Sequence, residues 1–176
     1  MAKKIHSYYW DTSTFLMVLM GESHHGPGVL DAARALLRQV ELREAVVISS
    51  EIVVAEVLPV RVPPDAYERW EAYLQWPNLH LRGVDHAIAR KACELRTLGL
   101  RNNPLLSVKL PDALHAATAL IYQDQLEALH SLDNRLNNVF GHLGFALRSE
   151  KPQQIQLTLP GTQAGQPPAT SPPDAP

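Results

Sequence analysis

The chain has 176 residues, 45% of them hydrophobic, with a formal net charge of −2; that is material for one ordinary domain with a sizeable core. A charge so near zero lacks the basic excess of duplex binders. The single cysteine, Cys93, excludes an intramolecular disulfide and a thiolate metal cage and reads as a small buried hydrophobe. The apolar run Phe15–Met20 is too short for a signal-peptide core and no segment reaches the length of a membrane span, so a cytoplasmic protein without membrane contact is expected.

Residues 5–11, IHSYYWD, read as a strand, and residues 12–21 as an apolar helix stopped by Gly21. Residues 28–44 carry Val29, Leu30, Ala33, Leu36, Leu37 and Val40 at helical spacing, and AVVIS at 45–49 is a short apolar run suited to a buried parallel strand. Ser49 and Ser50 are cap residues for a helix from Glu51 to about Leu58, ending near Pro59. Pro63 and Pro64 open the next helix, which Pro77 closes. A strand over Leu79–Arg82 precedes a helix from Asp85 to Leu98 that Gly99 terminates. Pro111 begins an alanine-rich helix, ALHSL at 128–132 is a fourth strand, Asp133 caps a short helix, and Phe145–Leu147 is a fifth strand.

Strand and helix alternate throughout, which predicts an α/β fold with a central parallel sheet of about five strands covered on both faces. The boundary falls near residue 150. Residues 151–176 hold seven of the fourteen prolines, too polar a composition to offset the entropy of ordering, so a flexible tail is expected there. Its PxxP string at Pro173–Pro176 has chance as its simplest origin.

Four acids stand apart. Asp11 ends the first strand, Asp112 lies in the first turn of the alanine-rich helix, and Asp133 follows the fourth strand; a cap or a favourable helix dipole accounts for each alone. Glu56 is different, because Ile52, Val53, Val54, Ala55, Val57 and Leu58 leave its helix almost no polar face. A carboxylate buried there needs a partner, either a lysine or arginine or a metal shared with other acids. Oxygen-rich acidic sites suit Mg²⁺ and Mn²⁺, and parallel sheets gather ligands at strand carboxyl ends where strand order reverses. Spacing alone does not bring the four together.

The motifs YYWDTST, SSEIVVAEVL, KLPDALHAATAL and LHSLDNRL, in this order and separation, resemble the PIN-domain ribonucleases, in particular the VapC-like toxins of toxin–antitoxin pairs. The resemblance runs from about Ile5 to Arg148, and PDA with its alanine helix is the most specific part. It implies a single PIN-like domain over 1–150 with catalytic and metal-binding acids at Asp11, Glu56, Asp112 and Asp133. Its hydroxyl residues near the site fall on Ser13 and on Ser131, the latter where threonine is more usual; these would orient the carboxylates. It further implies Mg²⁺- or Mn²⁺-dependent hydrolysis of single-stranded or looped RNA to leave a 5′-phosphate, a homodimer, and a cognate antitoxin whose peptide occupies the acidic groove.

Other residues have ordinary readings. Arg90, Lys91, Arg96, Arg101 and Lys109 form a solvated face, although they are also placed to grip phosphates. His115 is a hydrogen-bonded helix histidine, His24 and His25 lie in an exposed loop, and Tyr9 and Trp10 are core rather than a base-stacking platform. Three rival functions remain: a housekeeping RNA-processing nuclease of the same family, an aspartyl-phosphate phosphatase, and a non-catalytic interaction module with a degenerate site. The phosphatase is disfavoured by Ser13, where a second acid would stand two residues after Asp11. Neither a P-loop nor a G-x-G-x-x-G is present.

Overall fold

The computed structural model describes residues 5–58, 61–102 and 107–153. Five strands, β1 (His6–Trp10), β2 (Ala45–Ser50), β3 (Leu79–Arg82), β4 (Ala128–His130) and β5 (Arg148–Glu150), form one sheet in the order β3-β2-β1-β4-β5. Every pairing is parallel, with Tyr9 opposite Ile48 on one side of β1 and opposite Leu129 on the other. The chain builds outward from β1 to β3 and then returns to start again at β4. The strand order therefore reverses beside β1, and the crevice of a doubly wound sheet opens at that point.

Period-two alternation divides the core. Tyr8, Trp10, Ala45, Val47, Leu79 and Ala128 pack on the side of α1 (Thr12–Met20), α2 (Val29–Glu41) and α4 (Pro64–Tyr73). Tyr9, Ile48 and Leu129 face the opposite layer, made by α5 (His86–Asn102), α6 (Leu110–Ile121) and α7 (Asn134–Leu143). Small residues on α6, Ala113, Ala116 and Ala117, are buried at 0–2% exposure, so this helix can approach the sheet closely. That approach brings its polar residues to the switch point.

Several sequence expectations change. α5 continues through Gly99, which is buried within the helix, and ends at Asn102. A helical glycine costs about 1 kcal/mol relative to alanine, and packing of Ile88, Ala92 and Leu95 on the inner layer offsets it. The fifth strand is Arg148–Glu150 rather than Phe145–Leu147, because Phe145 packs edge-on against Phe140 and Leu147 joins the core before pairing with β4 begins. Cys93 is exposed on α5 rather than buried. Ser49 does not cap a helix: its hydroxyl donates to the Trp10 carbonyl across the sheet at 2.7 Å. Ser50 does accept from the Ile52 N–H at 3.5 Å. Pro59, the expected helix stop, and the Pro173–Pro176 string lie outside the described residues. No described helix is long and apolar enough to cross a membrane.

Candidate active site

β1 delivers Asp11 to the crevice beside β4, where its backbone N–H donates to the His130 carbonyl at 3.2 Å. The side chain is 5% exposed and saturated with donors. Its Oδ1 accepts from the Ser13 hydroxyl at 2.7 Å and the Thr14 N–H at 3.0 Å, and its Oδ2 accepts from the Ser131 hydroxyl at 2.5 Å. The Thr14 hydroxyl lies 3.1 Å from Oδ1 and 3.0 Å from the His130 carbonyl. Asp11 is thus the N-cap of α1, yet capping uses one contact of several. These donors fix the orientation of both carboxylate oxygens before any ligand arrives.

Ser13 and Ser131 do more than touch Asp11. The Ser13 hydroxyl accepts from the Leu132 N–H at 2.9 Å, and the Ser131 hydroxyl accepts from the Asp133 N–H at 3.0 Å. Each serine therefore ties the end of β1 to the start of the β4–α7 turn. Asp133 caps α7, its Oδ1 accepting from the Arg135 N–H at 2.7 Å and the Leu136 N–H at 3.4 Å.

On the other flank, Glu56 is the last residue of a short helix, α3 (Ile52–Glu56). The expectation of a carboxylate enclosed by apolar neighbours is corrected here: Val54 is 46% exposed and the Glu56 side chain 32% exposed, because only Val53 and Val57 turn into the core. Glu56 nevertheless has partners. Its Oε2 accepts from the Thr12 hydroxyl and lies 3.1 Å from His115 Nε2, which is also 3.0 Å from Thr12 Oγ1. Burial raises the Glu56 pKa, but hydrogen bonds from His115 and Thr12 together with the His115 charge outweigh it, and the net shift is downward.

His115 is 2% exposed, and its Nδ1 meets the Tyr9 hydroxyl at 2.9 Å. Burial pushes the Tyr9 phenol far up, so it keeps its proton, and its hydroxyl shares one hydrogen bond with Nδ1. The Thr12 proton goes to Glu56, which leaves His115 Nε2 as the donor toward Thr12 and Glu56. A chain Tyr9–His115–Glu56 thus runs from the fully buried sheet to the crevice. The helix histidine expected from sequence is hydrogen-bonded as anticipated, but its partner lies 59 residues away on α3.

Asp112 sits in the first turn of α6 behind Pro111. Its carboxyl is pushed up, first by burial and then by Asp133, Asp11 and Glu56, with His115 opposing. All four acids expected from sequence therefore share one electrostatic neighbourhood. No three of them bring ligand atoms within 4.8 Å of one another; among the described residues that criterion is met by Glu22, His24 and His25.

The all-oxygen donor set suits a hard divalent cation. The negative charge crowded round Asp112 is what such an ion relieves. The residues fit the group. Tyr9 and Trp10, both 0% exposed, are core, while Arg90, Arg96, Arg101 and Lys109 are exposed.

A family model described as the PIN domain matches residues 8–140. None of the curated proteins matches the sequence. Among solved structures, a chain of VapBC2 from Rickettsia felis bound to a DNA fragment from their promoter is similar in fold, with a TM-score of 0.54 and 17% identity over 82% of this chain and 97% of that one. A chain of a toxin–antitoxin complex from Klebsiella pneumoniae gives a TM-score of 0.51 and 18% identity over 84% and 99%. PIN domains are generally nucleases. With its matched region spanning β1 to α7 and its acids gathered at the switch point, this chain belongs to the PIN domain family.

Proposed function

We propose that this chain is a Mg²⁺- or Mn²⁺-dependent endoribonuclease and the toxin of a toxin–antitoxin pair. The observation that carries the nuclease reading is Asp112, whose carboxyl is pressed by three other acids at the switch point of a PIN fold. The toxin reading rests on the solved complexes similar in fold, both of them assemblies of toxin with antitoxin.

In this reading Asp11 and Asp112 hold the cation directly, and Glu56 and Asp133 complete the site directly or through water. When bound, the ion lowers the pKa of attacking water and stabilises charge on the phosphate oxygens. The protein's own part is orientation. Ser131, Ser13 and the Thr14 N–H fix both oxygens of Asp11, and His115 and Thr12 hold Oε2 of Glu56. Substrate RNA would be single-stranded or looped, since A-form duplex hides its base edges. A cognate antitoxin peptide in the acidic groove and a homodimeric state complete the proposal.

Cleavage of a mixed RNA pool tests the chemistry. Products should form with Mg²⁺ or Mn²⁺, disappear with EDTA, and be absent with Asp11→Asn; cleavage that survives both treatments sinks the reading. Expression without an antitoxin separates a toxin from a housekeeping nuclease. Growth arrest relieved by Asp112→Asn supports the toxin, whereas normal growth with active enzyme in the extract supports the processing role.

A further inference from the structure

A second constellation of potential ligands lies outside the acidic crevice, in the connection between α1 and α2. Gly21 takes a left-handed conformation, φ 68°, at the end of α1, and the Glu22 N–H returns to the Met17 carbonyl at 3.0 Å. That closing bond fixes the backbone from which the Glu22 side chain departs. Further along, the Val29 N–H meets the Gly26 carbonyl, and the Lys151 ammonium donates to the His25 carbonyl at 2.8 Å. The loop is therefore held at both ends and pinned from the strand β5 exit.

Within this frame the His24 and His25 rings lie 4.0 Å apart between centroids at 36°, and His25 Nε2 is 3.0 Å from Glu22 Oε2. One ligand atom from each of Glu22, His24 and His25 lies within 4.8 Å of the other two. Two side chains already in hydrogen-bond contact need only a small displacement to place a cation between them. His24 is exposed and Glu22 and His25 are partly so, so an ion can enter and water can fill remaining positions.

We propose that Glu22, His24 and His25 form a binding site for a borderline transition cation of the Zn²⁺ or Ni²⁺ class, separate from the acidic crevice. Two imidazole nitrogens and one carboxylate oxygen are the donor set such ions prefer, with Zn–N bonds of about 2.0–2.1 Å. The crevice has the opposite chemistry, carboxylates and hydroxyls that favour Mg²⁺ or Mn²⁺. The bound ion would stiffen the α1–α2 connection, which Lys151 already ties to the exit of β5. It stands whether or not the ribonuclease reading does.

Calorimetric titration of the full chain with ZnCl₂ and, separately, with MnCl₂ distinguishes the two sites. Zn²⁺ should bind at one equivalent to wild type and to Asp11→Asn alike. The double variant His24→Ala/His25→Ala should lose at least about tenfold in Zn²⁺ affinity while its Mn²⁺ isotherm is unchanged, and Glu22→Gln should lose less, since one neutral oxygen still coordinates. An unchanged circular dichroism spectrum checks that each variant folds. Zn²⁺ affinity within twofold of wild type in the double variant overturns the site, because another histidine would then be the ligand. Absence of Zn²⁺ binding to wild type overturns it as well.

Discussion

The two flanks of the crevice hold their carboxylates by different means. Asp11 is locked by backbone and short hydroxyl side chains from its own cap and the facing turn, with both oxygens occupied and almost no exposure. Glu56 is held by a longer relay, Tyr9–His115–Glu56, on a five-residue helix with a third of the side chain in solvent. Asp11 is thus fixed by the fold itself, while Glu56 is fixed by other side chains. Damage to the first flank should remove function outright, and damage to the second should be graded and partly rescuable.

The largest effect is expected from Asp11→Asn. The amide keeps the size but replaces one acceptor oxygen with a donor that faces the Ser131 or Ser13 hydroxyl, so charge and hydrogen bonding fail together. RNA cleavage should fall by more than about 100-fold, beyond what loss of an outer-shell partner produces. Stability should drop by about 1–3 kcal/mol from the mismatched buried donor, read from urea midpoints. Equal cleavage rates in variant and wild type would remove Asp11 from the site.

On the Glu56 flank, His115→Ala should weaken Mn²⁺ binding and cleavage by about 10–100-fold, the usual cost of an outer-shell partner. His115→Gln, which retains an N–H near the Nε2 position, should recover part of both. If Ala and Gln behave alike, His115 is only filling space. Calorimetry with Mn²⁺ reads the binding part without requiring turnover.

These contrasts explain what the sequence disclosed. Alternating apolar runs and proline or glycine punctuation placed β1 to β4 and most helix starts, since those signals are local. The Arg148–Glu150 strand was displaced to its apolar neighbour because a three-residue edge strand, partly exposed, carries less hydrophobic signal than the Phe145–Leu147 segment that buries itself first. Gly99 read as a stop because only tertiary packing makes a buried helical glycine tolerable. Asp11 and Asp133 were legible as strand-end caps, but the His115–Glu56 contact spans 59 positions and leaves no local trace. His24 and His25 read as an exposed loop; their grouping with Glu22 depends on the turn at Gly21 and the Lys151 contact, which leave no local signal.

A smaller effect concerns His130, at the end of β4, whose ring is stacked on Tyr8 and accepts from Trp10 Nε1 at 3.1 Å. Burial, aided by Arg148, pushes its pKa down to about 4. The unfolded chain then binds more protons than the folded one between the ordinary imidazole value of 6.5 and about 4, so this contribution to stability is intact at neutral pH and is lost as pH falls through that window. Between pH 7 and pH 5 the loss should be about 2 kcal/mol. Urea midpoints for wild type and His130→Asn at both pH values give the test: the variant's pH dependence should be shallower, and parallel curves would refute the assignment.

The finest comparison lies between the two serines that bridge Asp11 to the β4–α7 turn. Both donate to the carboxylate and both accept from a backbone N–H, Ser13 from Leu132 and Ser131 from Asp133. They differ in burial, Ser131 being 0% exposed and Ser13 partly open to solvent. In Ser131→Ala the Asp11 Oδ2 loses a fully buried donor that water does not readily replace, a cost of about 1–3 kcal/mol. In Ser13→Ala water can reach both the carboxylate and the Leu132 N–H, so the cost should be about 0.5–1 kcal/mol. Mn²⁺ affinity should follow the same order, because an Asp11 carboxylate that has lost a fixed donor must be reoriented when the ion binds. Reversal of that order would mean that Ser13, despite its exposure, is the hydroxyl that sets the carboxylate's orientation.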